Sequence, residues 1–288
     1  MDIAFIILHY LNFEDTCDCI NSVKKYIDTN DYGIVVVDNN SMNGSFQKIK
    51  EIYQEKNIVC IENTKNEGYA RGNNKGIKYA RKHWKPEYVV ILNNDTCLVN
   101  NNFYDVISKK YLKYHFAALG PMVLTKDGTC NTNPISIGLP SEKEVLHEIR
   151  HYKTKQIINS IGLIKVYELY SKIKNALIGK KQDFIIEDLL DVRLNGCCIV
   201  FSDIFFKYFD GFDESTFMYF EEAILHLHLN FYNLVSLYTP DLMIFHKECA
   251  STNLSQNTVK SKIAFQSKYR CESRQRYLEI LKKYQEKE

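Results

Sequence analysis

The chain has 288 residues with 37 Lys and Arg against 35 Asp and Glu, and a net charge of +2 is not the basic signature of a dedicated nucleic-acid binder. An apolar share of 45%, with 20 Tyr and 16 Phe, supports a real core, excludes global disorder and fits one large α/β domain or two small ones. Nine cysteines form no CxxC pair or disulfide framework, Ile3 to Leu8 lacks the basic flank of a signal peptide, and no apolar run nears the roughly 18 residues that span a bilayer. The expected setting is therefore the reduced cytoplasm, with most cysteines acting as small buried hydrophobes.

In chain order, Ile3 to Leu8 reads as a strand and Glu14 to Tyr26 as a helix, and Ile34 to Val37 is a second strand followed by a helix after Gly44. Ile58 to Ile61 and Tyr88 to Leu92 are further strands, separated by a helix over Tyr69 to His83. Continuous Val, Ile and Leu runs alternating with helices predict a parallel sheet buried on both faces, whose ligands bind beyond the carboxyl ends of the strands. From Glu142 to Lys181 the pattern is helical, and seven lysines between Lys153 and Lys181 face only Glu168. A strand signal returns at Leu194 to Phe201, then a helix from about Glu221, strands near Leu234 to Tyr238 and Leu242 to Phe245, and a basic helical tail from Val259.

Four consecutive strand ends are rich in Asn and Asp: His9 to Asn12, Asp38 to Ser41, Asn63 to Asn74 and Asn93 to Thr96. Any one of them is an ordinary turn or helix cap. Four on one edge predict a polar crevice in which Asp95 offers a hard-cation ligand, Asp38 an acceptor for a base or ribose, and Tyr10 a stacking face. Asn66 to Ile77 is a Gly-rich loop entering a helix, where glycines allow backbone to approach a ligand and Arg71 adds charge for a diphosphate; it matches neither the dinucleotide nor the P-loop fingerprint. Glu221 and Glu222 open the late helix, and His246 ends the last strand, so a general base and an imidazole metal ligand are available.

Together these segments resemble glycosyltransferase family 2, inverting enzymes of the GT-A fold, and in particular its rhamnosyltransferase-like branch in bacterial surface-polysaccharide synthesis. The matching text is ILHYLNFEDT at Ile7 to Thr16, VVDNNS at Val36 to Ser41, NEGYARGNNKGI at Asn66 to Ile77, ILNNDT at Ile91 to Thr96, Asn195 to Cys198, GFDE at Gly211 to Glu214, YFEE at Tyr219 to Glu222, and His246. The resemblance implies a Rossmann-like, mostly parallel sheet flanked by helices in a domain over 1–250. That domain would comprise a nucleotide-binding half at 1–125, a helical insert at 126–188 and an acceptor and catalytic half at 189–250, followed by a basic helical tail at 251–288.

It also implies roles. Tyr10, Asp38, Asn39, Asn66, Gly68, Arg71, Asn74 and Asn94 would border the nucleotide-sugar, and Asp95 with His246 would hold Mg²⁺ or Mn²⁺. Glu222, with Glu221 beside it, would take the proton of an acceptor hydroxyl in a single displacement. The implied partners are a dTDP-rhamnose or UDP-sugar donor and a glycan or lipid-linked saccharide acceptor, with no nucleic acid. The insert lysines suggest peripheral contact with an anionic membrane surface at the inner face of the plasma membrane; a solvated helix face is the plainer alternative. Departures from the family pattern are Leu11, Asn43, Asn93 in place of a first acid, and Ile224 and His228 where the family carries an Asp and an Arg. Ile224, His228 and the single-acid metal motif with Asn93 motivate a competing expectation of a catalytically degenerate binding or assembly subunit.

Overall fold

The computed structural model describes residues 1–125, 131–164, 167, 184–247 and 258–287. Most of the lysine-rich stretch, from Lys165 to Lys181, lies outside the described residues. The first half follows the expected alternation: β1 (Ile3–His9), α1 (Phe13–Tyr26), β2 (Tyr32–Asp38), α2 (Ser45–Ile52), β3 (Ile58–Glu62), α3 (Gly68–His83) and β4 (Tyr88–Asn93). β1 pairs in parallel with both β2 and β4, and β2 with β3. β1, β2 and β4 lie inside the sheet with β3 at its edge, and successive side chains feed opposite faces. Phe5 and Ile7 pack with Ile20, Phe46 and Phe103 on one side, while Ala4 and Ile6 pack with Ala70 and Ile77 of α3 on the other.

Beyond β4 the polarity changes. β5 (Thr96–Leu98), α4 (Phe103–Tyr114), β6 (Ala118–Leu124), β7 (Ser136–Ile137), α5 (Glu142–Ser160), β8 (Leu189–Leu190), β9 (Val192–Arg193), β10 (Cys198–Phe201), α6 (Glu221–Phe231), β11 (Ser236–His246) and α7 (Val259–Gln285) complete the described elements. β10 inserts antiparallel between β4 and β6, and the main sheet runs β3-β2-β1-β4-β10-β6-β11-β5. Of the strand signal at Leu194 to Phe201 only Cys198–Phe201 is strand, and a turn at 196–197 separates it from β9, which pairs with β7 in a second, two-stranded sheet. The two late strands are one, β11, with a register shift between Thr239 and Met243 around Pro240, which lacks an N–H for the ladder. A third apolar cluster joins α5, α6 and α7 through Val145, Ile149, Ile224, Leu227, Cys271 and Tyr277.

Among the described residues every cysteine is free, and Cys19, Cys197, Cys198 and Cys271 are buried. No helix among them is long and apolar enough to cross a membrane.

Candidate active site

A cavity of about 360 Å³ opens beyond the carboxyl ends of β1, β2 and β4, lined there by Tyr10, Asn39, Asn93, Asn94 and Asp95. The opposite wall is Asn195, Gly196 and Cys197 ahead of β10, Tyr219, Glu221 and Glu222 at the start of α6, and His246 at the end of β11. Pairing of β11 with β5 sets His246 against Thr96, so its imidazole reaches the preceding carboxylate, Nε2 lying 3.2 Å from Asp95 Oδ1. The Lys247 amide donates to the Asp95 carbonyl at 2.9 Å and fixes the same junction.

The strand-end amides knit the floor. Asn39 Nδ2 donates to Asn66 Oδ1 and to the Gly68 carbonyl, both at 3.0 Å, while its Oδ1 accepts from Asn63 Nδ2 and from the Glu67 amide. Asn94 Nδ2 donates to Thr16 Oγ1 at 3.0 Å, and that hydroxyl also meets His9 Nδ1 at 2.7 Å. His9 is fully buried, and burial lowers its pKa to about 4, so the imidazole stays neutral between Thr16 and Ser45.

Glu221 and Glu222 are presented by a strained approach. Tyr219 and Phe220 both have positive φ, 72° and 69°, a region ordinary side chains seldom enter. Glu221 points inward, only 5% exposed, with Thr216 Oγ1 donating to its Oε1 at 3.3 Å. Burial, reinforced by the neighbouring Glu222 charge, holds its carboxyl well above the ordinary glutamate range. Glu222 faces Gly196 so closely that a Cβ on that glycine would stand 2.8 Å from Glu222 Oε1. Tyr69, from α3, donates to the Gly196 carbonyl at 2.5 Å and braces this wall.

The cavity gathers Tyr10, Asn39, Asn66, Gly68, Asn94, Asp95, Glu221, Glu222 and His246 from the sequence-predicted set. Asp38, Arg71 and Asn74 do not line it. Asp38 is buried one residue behind Asn39, where both carboxylate oxygens accept from the Ser41 amide. Asn74 exchanges hydrogen bonds with the Phe212 backbone, and Arg71 donates to the Glu214 carbonyl, so both clamp the Gly211 to Glu214 turn onto α3. Two glycines of the Asn66 to Ile77 segment differ from expectation too. Gly72 and Gly76 seat α3 on the sheet, a Cβ there striking Leu8 and Ile6, while Gly68, at φ 80°, passes under the Phe217 carbonyl. Tyr69 and Tyr219 were missed; a Tyr within an apolar or Gly-rich segment gives no local signal of a wall position.

Ile224 and His228 have their own partners. Ile224 is 1% exposed in the α5–α6–α7 cluster. His228 lies between the Tyr284 hydroxyl, 2.6 Å from Nδ1, and the Asp213 carboxylate, 3.5 Å from Nε2. Although burial opposes ionisation, hydrogen bonds from His228 and Ser215 hold Asp213 below the usual carboxylate range. Leu11 and Asn43 likewise form one unit, because Leu11 turns at φ 65° and Asn43 Nδ2 donates to its carbonyl at 2.8 Å.

The model of glycosyl transferase family 2 matches residues 5–159. A low-salt glycan biosynthesis hexosyltransferase, Agl10 of Haloferax volcanii, is 24% identical over 222 residues, covering 77% of this chain and 59% of that protein. The chain thus spans about three fifths of the length of this curated relative. Among solved structures, S. aureus TarS 1-349 in complex with UDP superposes with a TM-score of 0.56 at 14% identity, over 86% of this chain and 60% of that one. GalNAc-T7 with UDP, GalNAc and Mn²⁺ gives 0.57 at 12% identity, over 93% of this chain and 47% of that one. The parallel-to-antiparallel sheet with its cavity at the junction is the GT-A architecture, and the chain belongs to glycosyltransferase family 2.

Proposed function

We propose that the protein is an inverting glycosyltransferase that moves a sugar from a nucleoside-diphosphate donor to a hydroxyl of a glycan or lipid-linked acceptor in cell-surface polysaccharide synthesis. The observation that carries this reading is that Glu222 and the Asp95–His246 pair line one cavity. Glu222 is the base: its carboxylate takes the acceptor hydroxyl's proton as the oxygen attacks the anomeric carbon from the face opposite the leaving diphosphate. Tyr10 offers a ring to the base of the nucleotide, and Asn66 and Asn94 border it.

Asp95 and His246 supply one oxygen and one nitrogen ligand from adjacent strands, a donor set that suits Mg²⁺ or Mn²⁺ when diphosphate oxygens and water complete the shell. No group of three or more acidic, His or Cys side chains suited to a metal occurs among the described residues, so the rest of the shell would come from substrate oxygens and water. A bound ion would neutralise charge developing on the leaving group.

UDP accompanies both the TarS and the GalNAc-T7 structures, and Agl10 is named a hexosyltransferase, so UDP-hexoses stand ahead of dTDP-rhamnose as donors to test. Ile224 and His228 are integrated in packing rather than left as gaps, so the degenerate-subunit alternative rests on the single-acid metal motif. The test is release of nucleoside diphosphate from a panel of nucleotide sugars with Mg²⁺ or Mn²⁺. Glu222→Gln and Asp95→Ala are each expected to reduce it by roughly 10²–10⁴-fold. Release that survives both substitutions overturns the assignment.

A further inference from the structure

The residue that leaves β11 ties together two parts of the first cavity. Lys247 follows His246 directly, and its amide donates to the Asp95 carbonyl at 2.9 Å. Its side chain reaches α1, where Nζ lies 2.8 Å from Asp15 Oδ1 and 2.6 Å from Asp18 Oδ2. The two carboxylates differ in surroundings. The side chain of Asp15 is 9% exposed and that of Lys247 21%, whereas Asp18 is 60% exposed. The Lys247–Asp15 pair is therefore screened little by water and salt, while the Asp18 contact adds little.

Asp15 is also committed to the turn between β1 and α1. It is the third residue of α1, its amide donates to Asn12 Oδ1, and its other carboxylate oxygen accepts from Asn12 Nδ2. The Asn12 amide closes the turn before it, donating to the Tyr10 carbonyl at 2.8 Å with Leu11 at φ 65°. The Thr16 hydroxyl donates to the Asn12 carbonyl at 2.9 Å and accepts from Asn94 Nδ2 at 3.0 Å. These contacts close a ring that runs from Lys247 through Asp15, Asn12, Thr16 and Asn94 to Asp95, and back to the Lys247 amide. The ring carries Tyr10 at one point and the Asp95–His246 pair at another.

We propose that Lys247 is a positioning residue for the nucleotide-sugar: through Asp15 it ties the Tyr10 turn to the Asp95–His246 pair, so that the base and the diphosphate of one donor are met at a fixed spacing. The inference rests on the glycosyltransferase reading, which assigns the base to Tyr10 and the diphosphate to the Asp95 side. Without the ion pair β11 still pairs with β5 and Asn12 still caps α1, so each part keeps its own form. What is lost is the spacing between them, which a ligand spanning both must restore out of its own binding energy. A nucleoside, which reaches only the base side, bears none of that cost.

The test is direct binding of uridine and thymidine, and of UDP and dTDP with Mn²⁺. The proteins are the wild type, Lys247→Met, Lys247→Arg, Asp15→Asn, Asp18→Asn and the Lys247→Met/Asp15→Asn double variant. In the wild type at least one diphosphate is expected to bind more tightly than its nucleoside. Lys247→Met and Asp15→Asn should each weaken that diphosphate about tenfold and leave the nucleoside within about twofold. The double variant should be no worse than either single one, because both remove the same ion pair. Lys247→Arg, which keeps the charge, should recover part of the affinity, and Asp18→Asn should change it by less than about twofold. In donor hydrolysis the same loss should appear as a higher KM with kcat within about threefold. Asp15→Asn and the double variant supply the measurement if Lys247→Met, left with a shielded carboxylate, fails to fold. Equal weakening of nucleoside and diphosphate, additive losses in the double variant, or wild-type diphosphate affinity in Asp15→Asn overturns the proposal. The catalytic reading then stands on its own Glu222 and Asp95 variants, whereas a wild type that binds neither diphosphate removes both.

Discussion

Glu221 and Glu222 are adjacent in sequence and opposite in surroundings, the first sealed against Thr216 and the second facing Gly196. A carboxyl raised in the fold keeps a proton that the unfolded chain releases once the pH passes the ordinary value of 4.5, so stability falls as pH rises above that point. Glu221→Gln removes this slope. Thermal or urea unfolding should show the variant close to wild type near pH 5 and more stable by roughly 1–3 kcal/mol near pH 8. An equal gain at both pH values would mean that Glu221 is ionised in the fold. His9 acts in the reverse direction, its depressed imidazole losing stability for the fold as pH drops from 6.5 toward about 4. That Asp95, Glu222 and His246 meet at one cavity was legible in sequence because they sit at strand ends and a helix start. The inward turn of Glu221 was not, since it depends on Thr216 and on two residues at positive φ.

α6 shows how an element can exchange one kind of support for another. The family pattern places an Asp at 224 and an Arg at 228, one helical turn apart, where they can pair. Here that face is apolar at Ile224, packed with Val145, Phe220 and Tyr277, and His228 turns to Asp213 and Tyr284. Ile224→Asp should cost about 3–5 kcal/mol in urea unfolding, because it buries a carboxylate among apolar side chains, and adding His228→Arg should recover part of that loss. A single-variant cost below about 1 kcal/mol would disprove this packing account. Elements with uninterrupted Val and Ile runs, β1, β2 and β4, were readable for the same reason that they are central: both faces are buried. β6, with Gly120 and Pro121 in its middle, carries no such pattern and is held as a strand by β10 and β11 on either side. Neighbours supply what its own residues do not.

At the scale of the whole molecule, part of the basic charge of the tail is engaged within the fold. Of the tail arginines, Arg270 and Arg274 fold over Tyr152, with Arg274 also over Phe220 and paired with Glu148, rather than forming a free basic face. Parallel pairing among β1, β2 and β4 could be anticipated from local pattern; the antiparallel insertion of β10 could not, since no local periodicity encodes which distant strand arrives. That insertion has a consequence in time. The Tyr69–Gly196 hydrogen bond joins residues 127 apart, and the Lys247–Asp15 ion pair joins residues 232 apart. Closing such loops costs more entropy than the local pairings of β1 to β4. Pulsed hydrogen exchange during refolding should protect amides of β1 and β2 first and the Lys247 amide, which caps Asp95, last; simultaneous protection would refute this order. A chain refolding along this route passes through a state that has the strand-end crevice but lacks the wall formed by residues 195–197 and the start of α6, so the cavity is completed only in its final step.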